Sequence, residues 1–432
     1  MKSQKSALAL LAATLVIVMI GFGIVIPLMP YFITHFNASG SSLGLMMSLY
    51  SVMQFIFAPM WGRVSDRIGR KPVLLIGIAG FALSFTAQGL SQNLFQFIAI
   101  RALAGVISSA TLPTAMAFIA DTTTPENRAR GVGMLGAAMG LGMIFGPTLG
   151  GFLTRIHPSL PPGLAGLLQV TTDPSTGAAI NLSIPFFVSA LLALLAIPVV
   201  AVLLPESLPP ERRVHHAAAG EKRSALLLQA LSGPSGFLFL LSFLLTFALA
   251  NMETVLALYG QKVFAMGPAQ VGLLMGAMGV LGVIQQGAAI GPLTRKFGEP
   301  RVIVAGLVVG VLGFAGLALA PTLVLYGIAA IVFNAGNALL QPSVTALVSK
   351  RAVTGQGATM GLNQSFQSLG RAAGPLWAGF AFDLTSSLAF WTGALIQLIA
   401  LLASLRQLPR LAPAAAPAAG ATISPARETE LS

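Results

Sequence analysis

A glycine-proline signature occurs twice in this chain, with the second copy 228 positions after the first. Gly142, Gly146, Pro147 and Gly151 stand at G-x3-GP-x3-G spacing, and Gly370, Gly374, Pro375 and Gly379 repeat it. The stretches Gly62–Lys71 (GRVSDRIGRK) and Gly291–Pro300 (GPLTRKFGEP) recur nearly in step, as do Pro113 and Pro342. Repetition on this scale requires two similar units, each supplying half of a larger structure.

The solvent for that structure is set by composition. A mean hydropathy of +0.85, with 55% hydrophobic and 8% charged residues, leaves too little polar surface to dissolve a 432-residue globule. Long apolar runs separated by short polar loops read as twelve spans of about 20 residues each, the length a membrane helix needs. They begin near residues 7, 42, 72, 93, 131, 184, 235, 268, 301, 322, 358 and 386. The first run, from Ala7 to about Phe32, is too long for a signal peptide and lacks a small-residue cleavage site, so it stays as helix 1. With no cysteine, neither disulfides nor thiolate chemistry is available. Duplicated bundles in a bilayer point to a transporter.

A net charge of +12 would suit an anionic partner, but the charges are sorted by side. With both termini inside, cytoplasmic segments hold 20 of 24 Lys and Arg, and the external loops hold Arg155 and Lys262 only. This is the positive-inside asymmetry of a multi-pass protein of the cell inner membrane, and it argues against nucleic acid as a partner.

Residues 205–234, a Pro-rich charged stretch, separate six spans (1–204) from six (235–410) and read as a cytoplasmic linker. An even number of spans per half makes the repeat parallel. His215 and His216 in the linker are read as solvated rather than metal-binding. The external segment 155–183 reads as an insertion rather than a cap over the mouth, and the low-complexity tail 411–432 as disordered. No cofactor is expected.

In GRVSDRIGRK, Gly62 and Gly69 are expected to permit a tight turn between helices 2 and 3. Asp66, among Arg63, Arg67, Arg70 and Lys71, would latch the cytoplasmic side by pairing with a base or with the positive end of a neighbouring helix. Asp121, near the end of helix 4, belongs to the same gating set. In helix 5, Gly142, Gly146, Gly150 and Gly151 form a face that admits close backbone approach, with a kink expected at Pro147. They suit a hinge between the halves as well as ordinary packing.

Three ionisable residues lie clearly within spans: Arg101 in helix 4, Glu253 in helix 7 and Arg371 in helix 11. Each costs roughly 2.5 to 3.5 kcal/mol near the bilayer centre, which makes each a functional candidate. Glu253 is the acid among them, about 24 Å along its helix, and is expected to load and release a proton. Asn251, Gln285, Asn334, Asn337, Gln341, Asn363 and Gln367, with the arginines, are candidates to line a wet substrate cavity. Phe22, Tyr31, Phe55 and Trp377 would add aromatic surface.

These residues resemble the major facilitator superfamily and, within it, the twelve-span drug:proton antiporters. GRVSDRIGRK is similar to that family's loop 2-3 signature, IAIRALAG around Arg101 to its helix-4 signature, and GLGMIFGPTLGG to its helix-5 antiporter signature. METVLALYG around Glu253, QPSVTALVSK, and GLNQSFQSLGRAAGPLWAGFAFD resemble the NorA-type quinolone and multidrug exporters. The resemblance implies an all-α membrane protein of two parallel six-helix bundles and proton coupling at Glu253. Two positions depart from it: Ala338 stands where a second acid is expected, and Arg371 where a neutral polar residue is expected, which leaves room for an anionic or zwitterionic substrate. The expectation is a monomeric, non-enzymatic, proton-coupled exporter of small amphipathic molecules. The alternatives are a metabolite symporter or facilitator of the same fold, and a non-transporting receptor.

Overall fold

The computed structural model describes residues 2–159, 161, 166–213, 236–351 and 356–409. His215, His216, most of the linker and the 411–432 tail lie outside the described residues.

Eleven helices among the described residues are long and apolar enough to cross a membrane. They are α1 (Ser6–His35), α2 (Gly40–Ile68), α3 (Arg70–Gly89), α4 (Leu94–Thr122), α5 (Gly131–Leu153), α6 (Ser183–Leu203), α7 (Gly236–Phe264), α8 (Pro268–Phe297), α9 (Glu299–Leu319), α10 (Leu323–Lys350) and α12 (Leu388–Gln407). The remaining expected span, α11 (Gln356–Leu384), is 29 residues long and packs between α7 and α2. Its amides and Arg371 dilute its hydropathy. Eight of the helices (α2–α4, α6, α8–α10 and α12) begin within two residues of their sequence-based starts, whereas the helix of α5 already begins at Pro125, six residues early, and α1, α7 and α11 start at the edge of the described residues. Leu, Ile, Val and Phe side chains such as Leu83, Phe95, Leu312 and Leu395 stay exposed on the outer surface, as a bilayer solvent permits.

Three spans are interrupted. α1 passes through a 3-10 turn at Ile26–Leu28, next to Pro27 and Pro30. α4 breaks at Ser109 and Ala110, shortly before Pro113. α8 contains a π-turn at Gln285–Ala289, the irregularity that recurs where a helix serves a site.

The packing follows the repeat. In the first six helices α1 lies on α5 and α6, and α3 on α6; in the last six α7 lies on α11 and α12, and α9 on α12. The two sets meet mainly along α2 with α11 and α5 with α8. The duplicated glycines account for both kinds of contact. Gly142 and Gly146 abut Met19 and Gly23 of α1, while Gly370 and Gly374 abut Phe243 and Phe247 of α7. The last glycine of each copy turns to the other set, Gly151 to Pro268 and Gly379 to Gly40. Gly150 also faces α1, at Ile24. Three of the four helix-5 glycines therefore serve packing within their own half, and only Gly151 lies at the junction between halves.

The segment expected to be a plain insertion carries a two-stranded antiparallel hairpin, Val170–Thr172 with Ala179–Asn181. It is tied down: Gln169 bonds His35 at 2.9 Å, and Asn181 N donates to the Thr154 carbonyl at 2.7 Å. Asp173 lies against Gly267 at the start of α8. The segment thus reaches across to the second half, which corrects the insertion reading.

Candidate functional site

The two halves touch at the hairpin end of the bundle and part toward the opposite, basic end. Tyr31 Oη donates to the Met266 carbonyl at 2.8 Å, Gln261 Nε2 donates to Thr34 Oγ1 at 3.0 Å, and Asp383 accepts from Gly40 N at 2.7 Å. Further down, Ser48 Oγ donates to the Ala372 carbonyl and Thr148 Oγ1 to the Gly272 carbonyl. One buried cluster runs through both halves here, including Ile24, Phe32 and Phe186 with Met252, Tyr259 and Phe390. At the basic end the second half has its own cluster around Leu238, Phe239, Leu307 and Leu347. A Cβ on Gly133, Gly136, Gly287 or Gly361 would meet nothing within 4 Å. The arrangement is a chamber closed at the hairpin end and open at the basic end.

Arg371 stands at the apex of this chamber, next to Ala372, whose carbonyl accepts from Ser48 Oγ of α2. It is exposed, and helical periodicity sets it roughly opposite the outward-facing Leu376, Phe380 and Leu384. It donates to Ser368 Oγ at 3.4 Å, one turn away. Glu253 is partly buried on α7 and feels the Arg371 charge, although no ion pair closes between them. Arg101 is 2% exposed. Its guanidinium lies 4.3 Å from the Tyr50 ring centroid and 5.9 Å from that of Phe22, and its Nε has no hydrogen-bond partner. Tyr50 in turn bonds Ser108 at 3.1 Å and Gln54 at 3.0 Å. A cation over aromatic faces is stabilised without a carboxylate. Tyr50 is a site residue the sequence reading passed over; its spacing from Gln54, one turn on, was the available signal.

The other candidates divide. Phe22 and Phe55 are partly buried on the first-half side. Gln285 lies in the π-turn with Oε1 unpartnered, and Asn337 is buried with Oδ1 unpartnered. Gln367 is partly buried on α11. Asn251, Asn334, Gln341 and Asn363 tie neighbouring helices together; Asn251 and Asn363 are buried, while Asn334 and Gln341 stay partly exposed. Asn251 Nδ2 donates to the Ala389 carbonyl at 2.8 Å, Asn334 Nδ2 to the Met278 carbonyl at 2.7 Å, Gln341 Nε2 to Thr246 Oγ1 at 3.0 Å, and Asn363 Oδ1 accepts from Ser242 Oγ at 2.7 Å. An amide among helices takes the nearest backbone or hydroxyl partner when one lies in reach. Tyr31, at 1% exposure, belongs to the closed end and not to the chamber wall. Trp377 bonds Thr392 of α12 at 2.9 Å and faces away from the chamber.

At the basic end Asp66 pairs with Arg70 at 2.6 Å, and Arg70 also binds Asp121 at 2.9 Å and Ser65 at 2.6 Å. These partners all belong to the first half. Arg67 is exposed beside them. Gly69 makes the turn, with φ of 108°, whereas Gly62 lies inside α2, where an added Cβ would meet nothing within 4 Å, and takes no part in the turn. Glu206, unremarked in the sequence, accepts from Arg70 N at 2.9 Å and Lys71 N at 3.2 Å and so caps α3. Among the described residues no group of three His, Asp or Glu side chains is placed to hold a metal ion.

The sequence pattern of the Major Facilitator Superfamily matches residues 11–375 and 290–429, two overlapping segments. Multidrug resistance protein 2 of Bacillus subtilis (strain 168) is 30% identical over 402 residues, covering 92% of this chain and 94% of that protein. The class C tetracycline resistance protein of Escherichia coli is 29% identical over 420 residues, covering 93% and 96%. A bacterial homolog of the human lysosomal transporter Spinster, crystallised inward-facing and unoccupied, matches with a TM-score of 0.72 at 15% identity across 96% of this chain and 99% of that one. A match over most of the chain, on a duplicated helical frame that opens at one end, makes this protein a member of the Major Facilitator Superfamily.

Proposed function

We propose that the chain is a proton-coupled efflux antiporter that exports small amphipathic molecules by alternating access. Drug resistance is what its relatives are named for. The positive-inside rule puts the basic end in the cytoplasm, so the chamber described above faces inward and receives cargo from the cytoplasm or the inner leaflet.

The observation that carries proton coupling is Glu253. It is the acid away from helix ends among the described residues, it forms no ion pair, and Arg371 is the cation coupled to it. Charged, Glu253 offsets Arg371; neutral, it leaves that positive charge at the chamber apex unbalanced. Gain and loss of one proton therefore changes the charge at the place where the halves meet, and a change there biases which end stays closed. Protonation from outside and release inside would return the carrier in exchange for cargo.

The test is proton release from acidified inside-out vesicles on addition of cationic, zwitterionic and anionic drugs, with wild type and Glu253→Gln compared. Cargo-dependent proton efflux that vanishes in the variant is the expected result. Cargo movement without protons assigns the chain to facilitated transport, and binding without flux assigns it to reception.

A further inference from the structure

Among the described residues, three charged side chains stand in mid-span: Arg101, Glu253 and Arg371. Two cations against one acid leave the interior of the transport path net positive. A membrane interior tolerates such an excess poorly unless a counter-charge arrives.

The two arginines are not equivalent. Arg101 is enclosed, with its guanidinium over Tyr50 and Phe22. Arg371 is open to the chamber and holds one weak bond to Ser368 at its own helix surface. It lies at the midpoint of a 29-residue helix, about 20 Å from either end, too far for its side chain to reach an aqueous interface by snorkelling. The neighbouring Ala372 carbonyl accepts from Ser48 Oγ of α2, so Arg371 stands next to a contact between the halves. The guanidinium therefore presents its fork of N–H donors into the space where cargo must sit. A planar fork of donors with fixed charge matches a carboxylate or a similar oxyanion, and repels an ammonium.

We propose that Arg371 anchors the acid group of the cargo, so that this chamber selects organic anions, a carboxylate on an apolar body, over cations of equal size; the proposal rests on the exporter reading above. Arg101 adds positive potential from the first half. Phe22, partly buried and 6.0 Å from Tyr50 ring to ring, offers apolar surface to the cargo body. Arg371 then answers to one anion at a time, either the Glu253 carboxylate or that of the cargo.

The experiment uses the full chain in lipid nanodiscs and two probes with the same ring system, naphthoate and naphthylmethylamine. Equilibrium binding of each is measured for wild type, Arg371→Gln and Arg371→Lys. Naphthoate is expected to bind wild type more tightly than the amine, to lose about ten- to a hundredfold in Arg371→Gln, and to fall between in Arg371→Lys, which keeps the charge without the fork. Naphthoate that fails to bind, binds no tighter than the amine, or is indifferent to Arg371→Gln overturns the proposal. The comparison of acid and amine in wild type decides even if a variant misfolds. Flux in inside-out vesicles separates the two readings. Outward transport of the amine with refusal of naphthoate removes anion selection and leaves the exporter; naphthoate bound through Arg371 without flux leaves the anion site and removes the exporter.

Discussion

The Asp383 carboxylate, on the last turn of α11, caps the first turn of α2 at Gly40. It accepts from Gly40 N at 2.7 Å, Ser41 N at 2.8 Å and Ser41 Oγ at 2.5 Å. At the opposite corner of the same end, Asp173 of the hairpin lies against Gly267, where a Cβ would collide with its carboxylate, just before α8 begins at Pro268. Each half thus sends an acid to the N-terminal end of a helix of the other half, where unpaired N–H groups and the helix dipole favour negative charge. Neither contact survives opening of that end.

Asp383→Ala is expected to weaken closure of the hairpin end by about 0.5 to 2 kcal/mol, the range for loss of a helix cap. Because the chain has no cysteine, pairs of single cysteines can be introduced across that end and spin-labelled. The distance distribution should gain a longer component in the variant. An unaltered distribution would remove Asp383 from the closing contacts.

Gly44→Val tests backbone contact as the means of closure. A Cβ at Gly44 lies 3.1 Å from the Pro375 carbonyl carbon and 3.3 Å from Gly379 Cα, so a valine wedges α2 away from α11. Transport should be lost while the purified protein remains monodisperse, and cysteines at the hairpin end should react faster with a maleimide. Wild-type transport would mean that closure tolerates a wider gap than the structure has.

Asp66→Asn separates stability from turnover. Asp66 is 47% exposed and its partner Arg70 keeps Asp121 and Ser65, so melting should shift by no more than the 0 to about 1 kcal/mol of an exposed pair. Turnover should fall several-fold with cargo affinity little changed, as a latch acting on the conformational equilibrium demands. Equal turnover in variant and wild type sinks the latch.

Glu206→Ala removes the acceptor from the first N–H groups of α3 and should destabilise by about 0.5 to 2 kcal/mol in thermal unfolding. Glu206→Gln retains an acceptor and should recover part of that loss. Identical melting of both variants and wild type would show that the cap contributes nothing.

Much of the frame was legible because a bilayer makes strong demands on sequence. Apolar length located most helix starts within two residues, and Arg101, Glu253 and Arg371 stood out because a charge in an apolar run has few innocent explanations. The duplicated glycines announced the repeat, but not that the first two of each copy serve the half and the last serves the junction. The amides were legible only as a group. Asn251 points to Ala389 while Gln285 lies in the π-turn, and that division depends on the rotational phase of each helix against its neighbours.

Asp173, Asp383 and Glu206 were not legible as functional acids, since a single carboxylate at a helix end is ordinarily just solvated. The sequence alone determined the membrane as solvent, the approximate starts of the spans, the twofold plan and the mid-span charges, because these follow from hydropathy and spacing along the chain. Only the tertiary structure decided which end is closed, which carboxylate meets which helix terminus and which arginine faces the chamber. Those are contacts between segments far apart in sequence, and their partners are backbone N–H groups that every residue type except proline supplies.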